Sequence, residues 1–303
     1  MLVFLVAHRW LAAEVGSPAL STFTTVFLAI VLQATPFLVM GVLLSAAITA
    51  FVSPNVLRRA LPRNQALAVP VAGSAGLVLP GCECASVPVS GGLISRGVAP
   101  SAAFTFLLAA PAINPIVLAA TWVAFPNDPQ MVWARFAASL LAAVVMGWLW
   151  LALGRGEWIR MPDRSHLHHE SKWVTFHRSA SHDFLHAGGF LIVGGITAAV
   201  LNVVVPAHWL DSLAGQAALS ILAMAALAVV MCICSEADAF VAASLTQFSR
   251  TAQLAFMVVG PMVDLKLVAM QVGAFGRTFA ARFAPTTFVV AVTSAVVVGG
   301  VLL

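Results

Sequence analysis

Charged residues are crowded into a few short stretches of the chain, and long apolar segments run between them. Among the runs that carry no formal charge are Val15 to Leu57, Gly97 to Asn127, Phe184 to Leu210 and Phe283 to Leu303. Each reaches or exceeds the roughly 20 apolar residues that a helix needs to cross a bilayer. Hydrocarbon accepts only chain segments that satisfy their own backbone groups. The pattern therefore predicts an all-α polytopic membrane protein. One long polar stretch, Gly154 to Asp183, interrupts it. That stretch holds nine of the 26 charged residues and five of the eight histidines. It predicts a His-rich cytoplasmic linker, 154–183, between two membrane regions, 17–153 and 184–303. Residues 1–16 begin apolar but are soon broken by His8, Arg9 and Glu14. They predict a short interfacial segment rather than a cleaved leader.

The two membrane regions read as copies. A shift of 150 positions sets Cys82 and Cys84 on Cys232 and Cys234, Phe106 on Phe256, Pro111 on Pro261, and Asn114 on Asp264. At a shift of 153, Phe37 to Gly41 falls on Phe190 to Gly194. Matches of Leu, Ala and Val arise easily by chance, but two Cys-x-Cys pairs and a later proline do not. Each copy predicts the same order of elements. A long helix comes first (Thr22 to Phe51; Phe184 to Val205). A segment carrying Cys-x-Cys follows (Ala66 to Ser95; Gln216 to Ser249). A helix led by Pro100 or Arg250 then reaches the internal proline, and a last helix closes the half (Met131 to Leu153; Thr286 to Leu303).

Lys and Arg set the orientation. If every apolar segment crosses once, the loop Lys/Arg divide eight to six. If each Cys-x-Cys segment enters and returns on one side, they divide eleven to three. The inside set is then Arg58, Arg59, Arg63, Arg96, five linker residues, Arg277 and Arg282, with Lys266 in the membrane under either count. The steeper bias favours about three crossing helices plus a broken, re-entrant Cys-x-Cys segment per half, and so two inverted repeats. Inverted repeats with broken helices at the midplane are an architecture of secondary transporters.

Composition agrees. Of 303 residues, 61% are apolar and 9% are Asp, Glu, Lys or Arg, where soluble domains carry about 25% charged residues. Soluble enzymes, nucleic-acid binders and secreted disulfide scaffolds are excluded. The net charge of +4 reads as the Lys/Arg of cytoplasmic loops. No phosphate-binding Gly-rich loop, dinucleotide fingerprint or His-Glu-x-x-His motif is present, so no nucleotide-driven step and no resident cofactor is expected.

Candidate chemistry lies in the repeated motifs. In Leu79 to Gly92, Cys82 and Cys84 would point to nearly opposite faces of a regular helix. They face one site only if the backbone is unwound, and Pro80, Gly81, Pro88 and Gly91-Gly92 supply the interruption. The alternative is two buried cysteines acting as small hydrophobes. The second copy lacks the Pro and Gly breakers but adds Ser235, Glu236 and Asp238. Acids within a membrane region are costly unless paired or hydrated; a water boundary is the alternative to a site. Asp264 and Lys266 follow Pro261 and have the spacing of opposite helix faces. Lys266 is therefore expected to meet Glu236, Asp238 or Glu83 instead, in a network or in a static salt bridge. Asn114, with the carbonyl that Pro111 frees, makes a polar spot suited to substrate or proton. In the linker, His166, His168 and His169 are weak metal candidates, and a solvated loop is the simpler reading. Trp148, Trp150, Trp158 and Trp173 fit an interfacial belt.

With these motifs in hand the chain resembles the predicted-permease family that includes the ArsP-type organoarsenical efflux permeases. The resemblance rests on Cys82 to Pro88, Phe106 to Pro115, Cys234 to Phe240 and Ala255 to Lys266, and covers both halves. It implies a permease of the cell membrane, in contact with the lipid bilayer and with a small-molecule or ion substrate, and no nucleic acid. Family members commonly have Cys-Ser-Cys-Gly where this chain has Cys82-Glu83-Cys84-Ala85. The site expected is Cys82, Glu83, Cys84, Ser86, Asn114, Cys232, Cys234, Ser235, Glu236, Asp238, Asp264 and Lys266, at the interface of the halves. Its solute would be a thiophilic metal, a metalloid or an organoarsenical. A membrane thiol–disulfide oxidoreductase and a non-transporting subunit of a larger complex are the alternatives.

Overall fold

The computed structural model describes residues 18–53, 56, 61–78, 82–160, 171–204 and 216–303. The described residues are helical, with no strand among them. The interfacial segment 1–16, the breakers Pro80 and Gly81, and loop residues Arg58 and Arg59 lie outside the described residues, as do His166, His168 and His169.

Among the described residues, six α-helices belong to each half, in the same order. The first half holds α1 (Pro18–Phe51), α2 (Gln65–Ser74), α3 (Glu83–Ser95), α4 (Pro100–Ile113), α5 (Pro115–Ala124) and α6 (Gln130–Leu153). The second holds α7 (Lys172–Val204), α8 (Ala217–Met231), α9 (Asp238–Ser244), α10 (Arg250–Val259), α11 (Leu265–Phe275) and α12 (Arg277–Leu302). Among the described residues, five segments are long and apolar enough to cross a membrane: α1, α4 with α5, α6, α7 and α12. The helices flanking each Cys-x-Cys are short, 10 and 13 residues in one half and 15 and 7 in the other. At about 1.5 Å per residue, none of these four spans a hydrocarbon core of about 30 Å by itself.

Two helix bounds differ from the hydrophobic pattern. α12 begins at Arg277 rather than Thr286, and α7 at Lys172, ahead of the apolar run that starts at Phe184. The added turns of α7 are polar but not free. Thr175, Ser179 and Asp183 recur every four residues on one buried stripe, and Ser45 of α1 donates to Asp183 Oδ2 at 3.4 Å. Hydropathy cannot register a stripe of small polar residues that face a neighbouring helix.

Packing follows the repeat in part: α1 lies on α3 in the first half, but α7 lies on α11 in the second. α2 lies on α4 and α8 on α10; α4 lies on α6 and α10 on α12. The first helices of the halves pack on each other, as do the last. Further contacts cross between halves: α3 contacts α11, α9 contacts α5, and α10 contacts α6. Close approach of α1 and α7 to these inner helices depends on glycine. A Cβ at Gly41 would fall 2.4 Å from Ala85 Cα in α3, and one at Gly194 would fall 2.6 Å from Lys266 Cα in α11. These are the glycines that the shift of 153 superposes.

Candidate functional site

Each break in the inner helices comes with its own cap. Asn114 leaves α4 in an extended conformation and caps α5, accepting from Val117 N at 3.0 Å and donating to Ala110 O at 3.1 Å. Asp264 does the same for α11: extended at φ −137°, its Oδ1 accepts from Leu267 N at 2.6 Å. An Asn or Asp before a helix satisfies one of its orphan N–H groups. The first Cys-x-Cys is built likewise. Cys82 is extended and precedes α3, so Glu83 and Cys84 open the helix. Cys84 lies within hydrogen-bond reach of Cys82. The second copy breaks without Pro or Gly. α8 stops at Met231 and Cys232 takes φ +51°, a left-handed conformation uncommon outside glycine and asparagine.

The breaks surround two buried ion clusters. In the first, Lys266 Nζ lies 2.6 Å from Glu83 Oε1 and 3.1 Å from Asp264 Oδ2. It donates to Cys232 O at 2.9 Å and approaches Cys234 Sγ at 3.9 Å. Glu83, Asp264 and Lys266 are all fully buried. In the second, Arg135 Nη2 donates to Asp238 Oδ2 at 2.7 Å and Ser235 O at 3.3 Å, and Nη1 donates to Thr121 Oγ1 at 2.9 Å. Half-buried Glu236 lies within electrostatic reach of Glu83, Lys266 and Arg135, so it stands between the clusters. Among the described residues its Oε2 has no hydrogen-bond partner, nor do Glu83 Oε2 and Asp238 Oδ1.

The remaining expected residues fall around these clusters. Ser86 donates to Glu83 O at 3.0 Å, inside its own helix turn. Cys232 turns its carbonyl toward Lys266 and its thiol back to Val229 O at 3.3 Å. All four cysteines are free and buried. Asn114 caps α5 and bonds Ala110 O. Among the described residues no three of His, Cys, Asp and Glu gather as a metal site would gather them.

Three expectations are corrected. Asp264 and Lys266 do meet, because Asp264 precedes the helix and the opposite-face spacing of residues within it does not apply. Asp238 pairs with Arg135, not Lys266, so the acids do not form one lysine-centred network. Arg135, counted with the loop charges, lies fully buried inside α6. A sequence signal for it existed: Ala134-Arg135-Phe136-Ala137 recurs as Ala281-Arg282-Phe283-Ala284, at a shift of 147. The copies diverge in role, since Arg282 is exposed and stacks over Trp158 at 4.2 Å.

A cavity of about 450 Å³ opens where the end of α5 meets the segment joining α9 and α10. Residues 124–128 of the first half and 243–253 of the second line it, among them Phe125, Asn127, Asp128, Thr246 and Arg250. Arg250 reaches across to Asp128 at 3.4 Å and over the Phe125 ring. Ala124 is one helical turn beyond Thr121, which holds Arg135.

The model of the ArsP_1 family, predicted permeases, matches residues 19–300. UPF0718 protein YcgR of Bacillus subtilis is 34% identical over 278 residues, covering 89% of this chain and 94% of that protein. A putative two-component membrane permease complex subunit of Streptococcus mutans is 32% identical over 282 residues, covering 90% and 94%. No solved structure matches the chain.

Proposed function

The chain belongs to the ArsP_1 family of predicted permeases, and from that premise we propose a secondary permease of the cell membrane with one transport site between two inverted halves. The observation that carries the proposal is the pairing of buried charges across halves. Lys266 of the second half meets Glu83 of the first, and Arg135 of the first meets Asp238 of the second. Buried ion pairs cost desolvation and are weak devices for stability alone. Placed where two halves meet, they suit a contact that is broken and remade. Capped helix breaks at membrane depth give the irregular backbone that transporters use to line a site.

Side assignments support the inverted reading. The positive-inside count puts loops 125–129 and 245–249 on the outer side, and Asp128 and Arg250 from these regions meet. It puts the linker and the turn at Gly276 inside, and Arg160 N donates to Phe275 O at 2.8 Å. The 450 Å³ cavity then faces outward. The site would take a small thiophilic solute, a metal, metalloid or organoarsenical, with the cysteines as soft contacts. Complete burial of the thiols favours this over disulfide exchange, which needs access. The name of the S. mutans relative favours one addition, that this permease works with a second protein.

A deletion strain screened for growth on organoarsenicals, antimonite, copper, zinc and simple anions tests the proposal. We expect altered sensitivity to one class, restored by the wild-type chain and not by Asp264→Asn. Unchanged growth on every solute, with full expression of the chain in the parent, contradicts it.

A further inference from the structure

The charge of the site narrows the class of solute, on the premise that the chain is a permease. We infer that the cargo is a cation, and that the Lys266 ammonium holds its seat in the present conformation. Three segments from both halves converge on Nζ: Glu83 at 2.6 Å, Asp264 at 3.1 Å, and Cys232 O and Cys234 Sγ at 2.9 and 3.9 Å. Carboxylate, carbonyl and thiol together are the donor set of a cation with some soft character.

The surrounding charge points the same way. Four carboxylates, Glu83, Glu236, Asp238 and Asp264, face two cations, Arg135 and Lys266. An oxyanion would add to that surplus in a region where unpaired charge is costly. Glu83 is fully buried, and its Oε2 has no hydrogen-bond partner among the described residues. Cys232 keeps a left-handed φ of +51° that presents its carbonyl to Nζ; strain of this kind persists where function uses it. Carboxylates and thiols do not gather around one another because Lys266 stands between them. An entering cation therefore displaces the ammonium from Glu83, and the two compete.

The test uses the purified full chain in detergent, with Cd2+ as probe and phenylarsine oxide and phosphate as comparators, read by equilibrium dialysis. Lys266→Met should bind Cd2+ at least about tenfold more tightly than wild type, and Glu83→Gln about tenfold more weakly, since each changes the site by one buried charge. Lys266→Arg, which keeps a cation in the seat, should track the wild type. If Lys266→Met is too unstable to dialyse, its melting temperature should rise more with Cd2+ than that of wild type. Unchanged or weaker Cd2+ binding in Lys266→Met, no binding in any form, or binding indifferent to Glu83 overturns the inference. Phenylarsine oxide bound through the cysteines, regardless of Glu83 and Lys266, overturns it while leaving the permease reading intact. Cd2+ binding that follows these charges, with no flux of any screened solute in vesicles, instead removes the permease reading and leaves the seat.

Discussion

At the scale of residues, Asp264 is a helix cap as well as a charge. Oδ1 holds Leu267 N and Oδ2 faces Lys266. Asparagine performs the capping role at position 114. Asp264→Asn should therefore keep the cap and change stability by no more than about 1 kcal/mol, while transport fails. Lys266→Met differs. It leaves Glu83 and Asp264 buried without a counter-charge, a loss of about 3–5 kcal/mol. Glu83→Gln in addition should recover much of it. Thermal melts of the three proteins in detergent check the order. The acids, the lysine and the thiols were legible in the sequence as a group. Their pairing was not, because it depends on where α11 starts. A spacing of two residues means opposite faces only inside a helix, and Asp264 lies just outside.

At the scale of elements, the glycine pair set the packing. Gly194→Ala would force a Cβ to 2.6 Å from the Lys266 backbone, which cannot yield as a side-chain tip can. We expect a loss of about 1–3 kcal/mol and loss of transport as α7 and α11 separate. Gly300→Ala is the control, since nothing lies within 4 Å of a Cβ there; it should be neutral or slightly stabilising. Both follow from thermal melts beside vesicle uptake. The order of elements in both halves was readable from apolar runs and from the prolines. The break at Cys232 was not, because it carries neither Pro nor Gly. Tertiary contacts hold it there, the bond from Lys266 to its carbonyl among them.

At the scale of the whole molecule, repetition pointed to the segments that carry the buried charges but not to how those charges pair. The shift of 150 sets Glu83 on Ile233, Asp238 on Pro88 and Lys266 on Ile116. Every charge of the two clusters taken from these motifs thus stands opposite an uncharged residue of the other copy. An alignment of halves rewards likeness, whereas the clusters are made of differences that complement each other across the interface. The proposed inverted arrangement makes its own prediction. In a background without native cysteines, Asn127→Cys and Thr246→Cys should label with an impermeant maleimide from outside, and Arg277→Cys only from inside. Labelling of Thr246→Cys and Arg277→Cys from the same side contradicts inverted halves.

The central claim is that charges from both halves form one working site rather than a static brace. Vesicle flux of the solute found in the growth screen, measured beside detergent melting temperature for Asp264→Asn, Lys266→Met and their double variant, tests it most directly. Asp264→Asn should melt close to wild type yet carry no flux, and the double variant should carry none either. A double variant that is both stable and fully active would mean that the cluster only braces the fold, and the account would be wrong.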